Sequence, residues 1–431
     1  PRQHFRGVRG SALRLSVSHK PCVTATVHCW SILWAAYRVR VACQSKNAGL
    51  VPVDADSAAT ANRDCQGHEG PSGTGVVVTA HCGSPAVTVV IPHFNRSELL
   101  GQTLRSLESQ TLSAWEAIVV DDGSRPEEWA CVQEYANQRI RVLQRTDGVK
   151  GPSRCRNIGC QVATAPLVIF LDSDDLLAPW CLEERCRILQ ELPAADAAIF
   201  PVLLFHRTPG DVNRLWNRLD GADDLHRFLR SDPPWHTSSA IWRLSALQKL
   251  SGFNENIMYG DDADLHIRGL FLRLNFIKQS AALPDVFIRR AAAERITNTI
   301  SEKLLASRRV RLREGTTVVQ QFGNAEQQLT WQGQYFMECE FLLFQVPGSG
   351  QQIRKVLADW VSDWNPPWYR RWPLDAYFRF AGVFRHTCYL LLRIARRVVM
   401  LLLPDCFFPA AGGFESEQLA DGDRQRLESR L

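Results

Sequence analysis

The chain has 431 residues, 45% of them hydrophobic and 22% charged, with a formal net charge of +5. That apolar content suffices for one large domain and an appendage. The modest charge comes with no nucleic-acid motif, and the thirteen cysteines form no paired Cys-x-x-Cys, so nucleic-acid recognition and a zinc framework are set aside.

Residues 1–85 hold few periodic runs, a basic start and a Ser/Gly/Asp-rich stretch over 46–83, which reads as a poorly structured or linker N-terminal extension. Residues 21–36 follow basic residues as a signal segment would, but a histidine and several polar groups interrupt the run, and it is discounted. An odd cysteine count within predicted core elements points to free thiols and a reducing compartment.

A buried strand over 87–92 ends in Pro92, His93, Phe94 and Asn95, and a second over 117–120 ends in Asp121, Asp122, Gly123 and Ser124. Between them Leu99, Leu100, Thr103, Leu104 and Leu107 fall at helical spacing. The alternation continues through a helix near 126–137, a strand at 140–143 and a helix near 152–163. An apolar run over 167–171 then stops on Asp172, Asp174 and Asp175. This pattern predicts a doubly wound α/β sheet whose strand ends converge on one rim.

Carboxylates so close together repel, and a hard divalent cation is the usual reason to tolerate them; the plainer alternative is a cap for a helix beginning near Pro179. No Gly-x-Gly-x-x-Gly follows the first strand and no Gly-x-x-x-x-Gly-Lys-Ser/Thr occurs, so a dinucleotide fold and a P-loop are both unsupported. The helix opening over 150–157 carries Lys150, Arg154 and Arg156 to the same rim. Free N–H groups and guanidinium forks there suit a diphosphate, against the plainer reading of a solvated basic helix start. The segment Gly260-Asp-Asp-Ala-Asp-Leu-His-Ile-Arg268 reads as a helix start, where acids are at home beside the macrodipole. Asp261 and Asp262 would point about 100° apart and cannot aim at one spot.

Beyond about residue 299 the pattern turns helical. Trp360, Trp364, Trp368 and Trp372 recur every fourth position, but Pro366 and Pro367 break any single helix through them. Residues 377–403 are rich in Phe, Leu and Val yet carry Arg379, Arg385, Arg393, Arg396 and Arg397, too many for a comfortable membrane span. Arg393, Arg396 and Arg397 share one helical face, which fits a basic amphipathic helix lying on an anionic membrane; a core-packing helix with snorkelling arginines is the alternative.

Six motifs occur in order: Val90-Ile-Pro-His-Phe-Asn-Arg96, Val120-Asp-Asp-Gly-Ser124, Ser153-Arg-Cys-Arg-Asn-Ile-Gly159, Phe170-Leu-Asp-Ser-Asp-Asp175, Gly252-Phe-Asn-Glu255 and Gly260-Asp-Asp-Ala-Asp-Leu265. Over about residues 86–290 this series resembles the inverting family 2 glycosyltransferases. The resemblance implies a GT-A-type α/β fold, a mixed sheet flanked by helices, over 86–298, with a helical C-terminal extension over 299–431. It implies that Pro92, Phe94, Asn95, Glu98 and Asp122 line the nucleotide pocket, with Arg156 and Asn157 beside the diphosphate. Asp174 becomes the ligand of Mn²⁺ or Mg²⁺, with Asp172 nearer the ribose or a metal-bound water. Trp235, His236 and Thr237 become acceptor-side residues. Asp262 takes the role of base, and Asp261 stands where the family usually has Glu. Many relatives carry a metal-binding histidine where this chain has Ala291, which leaves Glu294 or water to fill the position.

The implied activity is metal-dependent transfer of a sugar from a nucleotide donor, UDP-linked, to a hydroxyl of a glycan or lipid-linked acceptor, as in cell-surface polysaccharide synthesis. The implied location is cytoplasmic, with peripheral contact on the inner face of the plasma membrane through 377–403. Two alternatives stand beside it. A nucleotidyltransferase would need a Gly-rich basic loop after the first strand, which is absent, and a degenerate, non-catalytic sugar-nucleotide binder would fit Asp261 and Ala291.

Overall fold

The computed structural model describes residues 84–146, 150–216, 218–221, 223–290, 300–384, 388–408 and 417–431. The expectations for residues 1–83 and for Ala291 and Glu294 lie outside the described residues.

The central strand β1 (Val87–His93) is a run of β-branched residues buried on both faces, as a strand covered by helices on either side requires. It pairs in parallel with β2 (Trp115–Asp121), from Val87 opposite Trp115 to His93 opposite Asp121. On its other edge it pairs in parallel with β4 (Leu167–Phe170), from Val87 opposite Leu167 to Val90 opposite Phe170. β3 (Ile140–Gln144) extends the sheet beyond β2. Because all four strands run the same way in this register, the residues that follow them come out on one rim.

The helices α1 (Ser97–Glu108), α2 (Pro126–Gln133) and α3 (Pro152–Val162) make the crossovers. α2 stops short of the expected 137 because the Asn137 side chain accepts hydrogen bonds from the N–H groups of Arg139 and Ile140, a local turn that competes with another helical turn. After β4 come β5 (Leu176–Leu177), α4 (Cys181–Glu191), β6 (Ala197–Ile199), β7 (Val202–Phe205) and α5 (Asp224–Leu229). They are followed by β8 (Ala240–Arg243), α6 (Leu244–Lys249), α7 (Asp261–Phe271), β9 (Phe276–Lys278) and β10 (Val286–Arg289). The main sheet has the order β3-β2-β1-β4-β8-β6-β9, and a smaller one the order β5-β10-β7. β8 is antiparallel to both β4 and β6, so the sheet is mixed.

Two 21-residue helices, α8 (Glu302–Phe322) and α9 (Ala325–Gln345), form a hairpin whose second arm starts in an Asn324/Gln327 capping box. Gly315 lies so close to the Trp331 ring that a Cβ would fall 2.1 Å from it. α8 also backs the start of α7: the Ser307 hydroxyl accepts from the Met258 N–H at 2.7 Å, and the Arg311 chain lies against Gly260. α10 (Gly350–Trp364) ends at Asn365 in the left-handed region, and Pro366 and Pro367 precede α11 (Trp368–Phe384). The tryptophan series is therefore split between two helices, as its prolines indicated: Trp360 is buried and Trp368 exposed. The stretch expected as one amphipathic helix over 377–403 is divided between α11 and α12 (Tyr389–Leu402). Arg396 does not share an outward face with its two neighbours; it turns to Glu340 at 2.8 Å, a partly buried carboxylate on α9 whose charge it matches. A last helix, α13 (Asp421–Arg430), closes the described chain.

Gly159 shows why a glycine ends the third motif. A Cβ there would sit 2.3 and 2.9 Å from the two methyls of Val90, so only a bare backbone lets α3 rest on β1. Val90 is stiff and fully buried. Gly159→Ala is expected to cost about 1–3 kcal/mol of stability by overpacking, read as a lower denaturation midpoint, and Val90→Ala in the same chain should recover part of the loss.

Candidate active site

The rim is built from the loops that follow β1, β2 and β4 and from the start of α7. The Asp121 carboxylate accepts from the N–H groups of Gly123 and Ser124 and from the Ser124 hydroxyl, which fixes the tight Asp-Gly turn. Asn95, at φ +50, locks this turn to the end of β1: its N–H donates to the Ser124 Oγ and its Oδ1 accepts from the Arg125 N–H. Asp122 projects inward, where Oδ1 accepts from Arg145 Nε at 2.6 Å and from the Gly151 N–H at 3.2 Å. Phe94 is exposed, with the Lys150 ammonium 5.4 Å from its ring centre, so the two flank the mouth on this side. Pro92 is half-buried beneath them and Glu98 is exposed on α1.

The acid loop carries two engaged carboxylates. Asp174 pairs with Arg96 at 3.0 Å, and Asp172 pairs with Arg156 at 2.8 Å. Burial would raise Asp172, but Arg156, His236 and Arg96 outweigh it and hold the carboxyl below its ordinary range. Arg289 fixes the loop from behind: its Nε donates to the Asp174 carbonyl and its N–H to Asp175 Oδ1, both at 2.9 Å.

Arg156 is almost fully buried and spans the site. Its Nη2 holds Asp172 and its Nη1 holds Asp261 Oδ2 at 2.7 Å. Ser153 Oγ donates to the same Asp261 oxygen at 2.9 Å. Burial lifts the Asp261 carboxyl to about 6, Arg156 pulls against that, and Asp262 adds to the rise. Asp262, one residue on, points elsewhere as helical geometry demands, and its Oδ2 accepts from Thr237 Oγ1 at 3.0 Å. His236 caps the short turn over Thr237–Ser239, its Nδ1 accepting from the Ser238 N–H.

Three expected contacts are placed differently. Arg156 spends both ends of its fork on carboxylates of the chain. Asn157 is a clasp: its amide donates to the Phe253 carbonyl and Glu255 Oε1 and accepts from the Phe253 N–H, which joins the third motif to the fifth. Trp235 is 1% exposed, edge-on to Phe228 and beside Phe276, so its ring offers no face to an acceptor. The sequence reading assigned no role to Arg96, Arg145 or Arg289. Arg96 stood at the end of the first motif, and a cation there opposite an acid triplet was the available signal.

A divalent ion can be tested against this donor set. Among the described residues no group of three or more His, Cys, Asp or Glu side chains converges. Mg²⁺ and Mn²⁺ are commonly held by one or two carboxylates, with substrate phosphates and water completing the shell, and Asp172 and Asp174 on one short loop match that need.

Residues 88–247 match the family model described as Glycosyl transferase family 2. Validoxylamine A glucosyltransferase of Streptomyces hygroscopicus subsp. jinggangensis is 39% identical over 98 residues, 22% of this chain and 23% of that protein. The uncharacterized glycosyltransferase EpsJ of Bacillus subtilis is 33% identical over 195 residues, 42% of this chain and 55% of EpsJ. TarS of Staphylococcus aureus, a poly(ribitol-phosphate) beta-N-acetylglucosaminyltransferase, is 29% identical over 144 residues, 31% of this chain and 25% of TarS. A crystal structure of TarS 1–349 in complex with UDP-GlcNAc superposes with a TM-score of 0.53 at 16% identity, covering 77% of this chain and 99% of that one. Matches to these curated relatives span about half of their length or less. The fold is that of GT-A proteins, and residues 88–247 are similar to glycosyl transferase family 2.

Two buried histidines give the fold a pH dependence. Burial depresses His93, at the end of β1, and His266, on α7 among Phe228, Trp235, Trp242 and Phe276, each to about 4. Both stay neutral in the fold while the unfolded chain takes up protons below about 6.5, so their contribution is complete above that pH and is lost as pH falls toward 4. Between pH 7 and pH 5, His266→Phe should lose about 2 kcal/mol less stability than the parent chain, measured by urea denaturation at both pH values.

Proposed function

We propose that this chain is a metal-dependent, inverting glycosyltransferase that moves a sugar from a UDP-linked donor to a hydroxyl of a glycan or lipid-linked acceptor. The observation that carries this reading is the Arg156 bridge. It sets Asp172, on the acid loop, and Asp261, at the head of α7, on one guanidinium, and the charge of Asp262, the next residue of α7, acts on that same guanidinium. A general base and a phosphate-side acid loop on one cleft are what displacement at an anomeric carbon requires. UDP as the nucleotide is supported by the TarS likeness, and a polymeric acceptor by the poly(ribitol-phosphate) on which TarS acts.

In the proposed reaction Asp262 takes the proton of the acceptor hydroxyl while the acceptor oxygen bonds to the anomeric carbon. The bond from that carbon to the phosphate oxygen breaks with inversion, and UDP departs. A positioned base contributes about 10²–10⁴ in rate. The Thr237 hydroxyl, donating to Oδ2, and the Ala263 N–H, donating to Oδ1, orient the carboxylate. Asp261, tied down by Arg156 and Ser153, is a positioning residue that fixes the first turn of α7. Asp122, braced by Arg145, is set to accept hydrogen bonds from the base, and Asn95 and Phe94 to shape its pocket. Asp172 and Asp174 would hold Mn²⁺ or Mg²⁺, which supplies charge stabilisation to the departing diphosphate. With an anion in the cleft, Arg96 can turn from Asp174 to a phosphate, since guanidinium serves both equally.

Asp262→Asn is expected to keep UDP affinity within about threefold and to cut transfer by about 10²–10⁴, whereas Asp174→Asn should lower both turnover and Mn²⁺-dependent UDP binding. Calorimetry with UDP and Mn²⁺, beside a donor panel assayed for transfer and hydrolysis, separates the two. UDP binding by the parent chain without turnover of any donor would replace the enzyme with a sugar-nucleotide binder. Retention of full activity by Asp262→Asn would remove that residue as the base.

A further inference from the structure

The outward face of α12 is apolar. Leu390, Leu391, Ile394, Val398, Leu401 and Leu402 are all exposed, Leu401 to 86%. At about 100° per residue, Leu390, Ile394, Val398 and Leu401 fall within an arc of about 80°, and Arg393 and Arg397 lie along one margin of it. Inward lie Leu392, Val399 and Leu403, and Arg396 on Glu340. A helix on the surface of a water-soluble domain turns its apolar stripe inward and its polar residues out. α12 has apolar residues on both sides, and the larger set faces out.

The neighbouring helix α11 repeats the pattern with aromatic residues. Trp368 is 76% exposed and Trp372 60%, and Arg379 and Val383 fall on the same stripe within about 60°. Tryptophan there combines a large apolar body with a polar N–H, the combination found at the boundary between lipid and water. Over residues 366–402 the sequence holds seven arginines and one acid, Asp375. Among the described residues no helix is long and apolar enough to cross a membrane.

From these observations we propose that the exposed faces of α11 and α12 dock on an anionic lipid surface, with α12 lying in the interface plane, its leucine stripe among the acyl chains and its arginines at the headgroups. Charge decides the occupant. A second copy of this chain meeting the same face would oppose arginine to arginine, since a two-fold contact sets one patch against itself. An anionic bilayer complements both the apolar stripe and its basic margin. The proposal stands on the C-terminal helices alone and does not depend on the transfer reaction.

The test is co-sedimentation of the full chain with vesicles of phosphatidylcholine alone and with vesicles containing about one third phosphatidylglycerol. The parent chain should pellet with the anionic vesicles, stay in solution with the neutral ones, and lose binding as salt is raised. Ile394→Glu with Leu401→Glu should weaken binding at least about tenfold without lowering the melting temperature, because both side chains already stand in water. Arg393→Gln with Arg397→Gln should weaken anionic binding and flatten its salt dependence while leaving the apolar stripe intact. Failure of the parent chain to pellet, or equal pelleting by the glutamate variant, overturns the proposal. So does a parent dimer in sedimentation velocity that the glutamate variant dissociates, which would assign the face to a second copy.

Discussion

The site depends on a buried guanidinium held between two carboxylates from separate elements of the fold. Arg156 stands in the first turns of α3, Asp172 follows β4 and Asp261 opens α7, with more than a hundred residues of chain between the first and the last. A cation so deeply buried is costly unless its charge and its donors are matched, and here each terminal nitrogen has an anionic partner. Displacing any one of the three elements would leave a charge unpaired away from water. The arrangement therefore has one low-energy register, and Asp262 takes its position from it.

Around this bridge the remaining motifs act as fasteners. Asn157 and Arg154 clasp Phe253 and Glu255, which pulls the loop before α7 onto α3. Gly252, with φ +69, leaves room for the Asn157 side chain, whose Oδ1 would lie 2.4 Å from an added Cβ. On the far side α8 supports the same loop through Ser307 and Arg311, and Arg308 packs over Tyr259 while pairing with Glu338. The C-terminal helices are thus part of what holds the start of α7, and the faces of α11 and α12 lie on the same helical assembly.

Much of this was legible in the chain before any coordinates. The β-branched runs over 87–92, 117–120 and 167–171 have the composition of strands buried on both faces, and their polar ends fall on one rim because parallel strands share a direction. The helical periodicity of Leu100, Leu104 and Leu107 placed α1, and the prolines at 366 and 367 divided α10 from α11. Partner choice was less legible. Arg156 read as a cation facing a diphosphate, and only packing showed two carboxylates already at its nitrogens. Trp235 read as a platform for a sugar, whereas its neighbours on α5, α7 and β9 enclose it.

Periodicity and residue type therefore determined which elements form, in what order, and where the acids of the rim fall, because those follow from local sterics and from alternating burial along one chain. What only the tertiary structure decided was pairing: Arg96 with Asp174, Arg145 with Asp122, Arg396 with Glu340, and Arg156 with two acids at once. Each pair joins residues far apart in sequence, and a charged side chain's partner is set by what burial brings within about 3 Å of it, which no local pattern encodes.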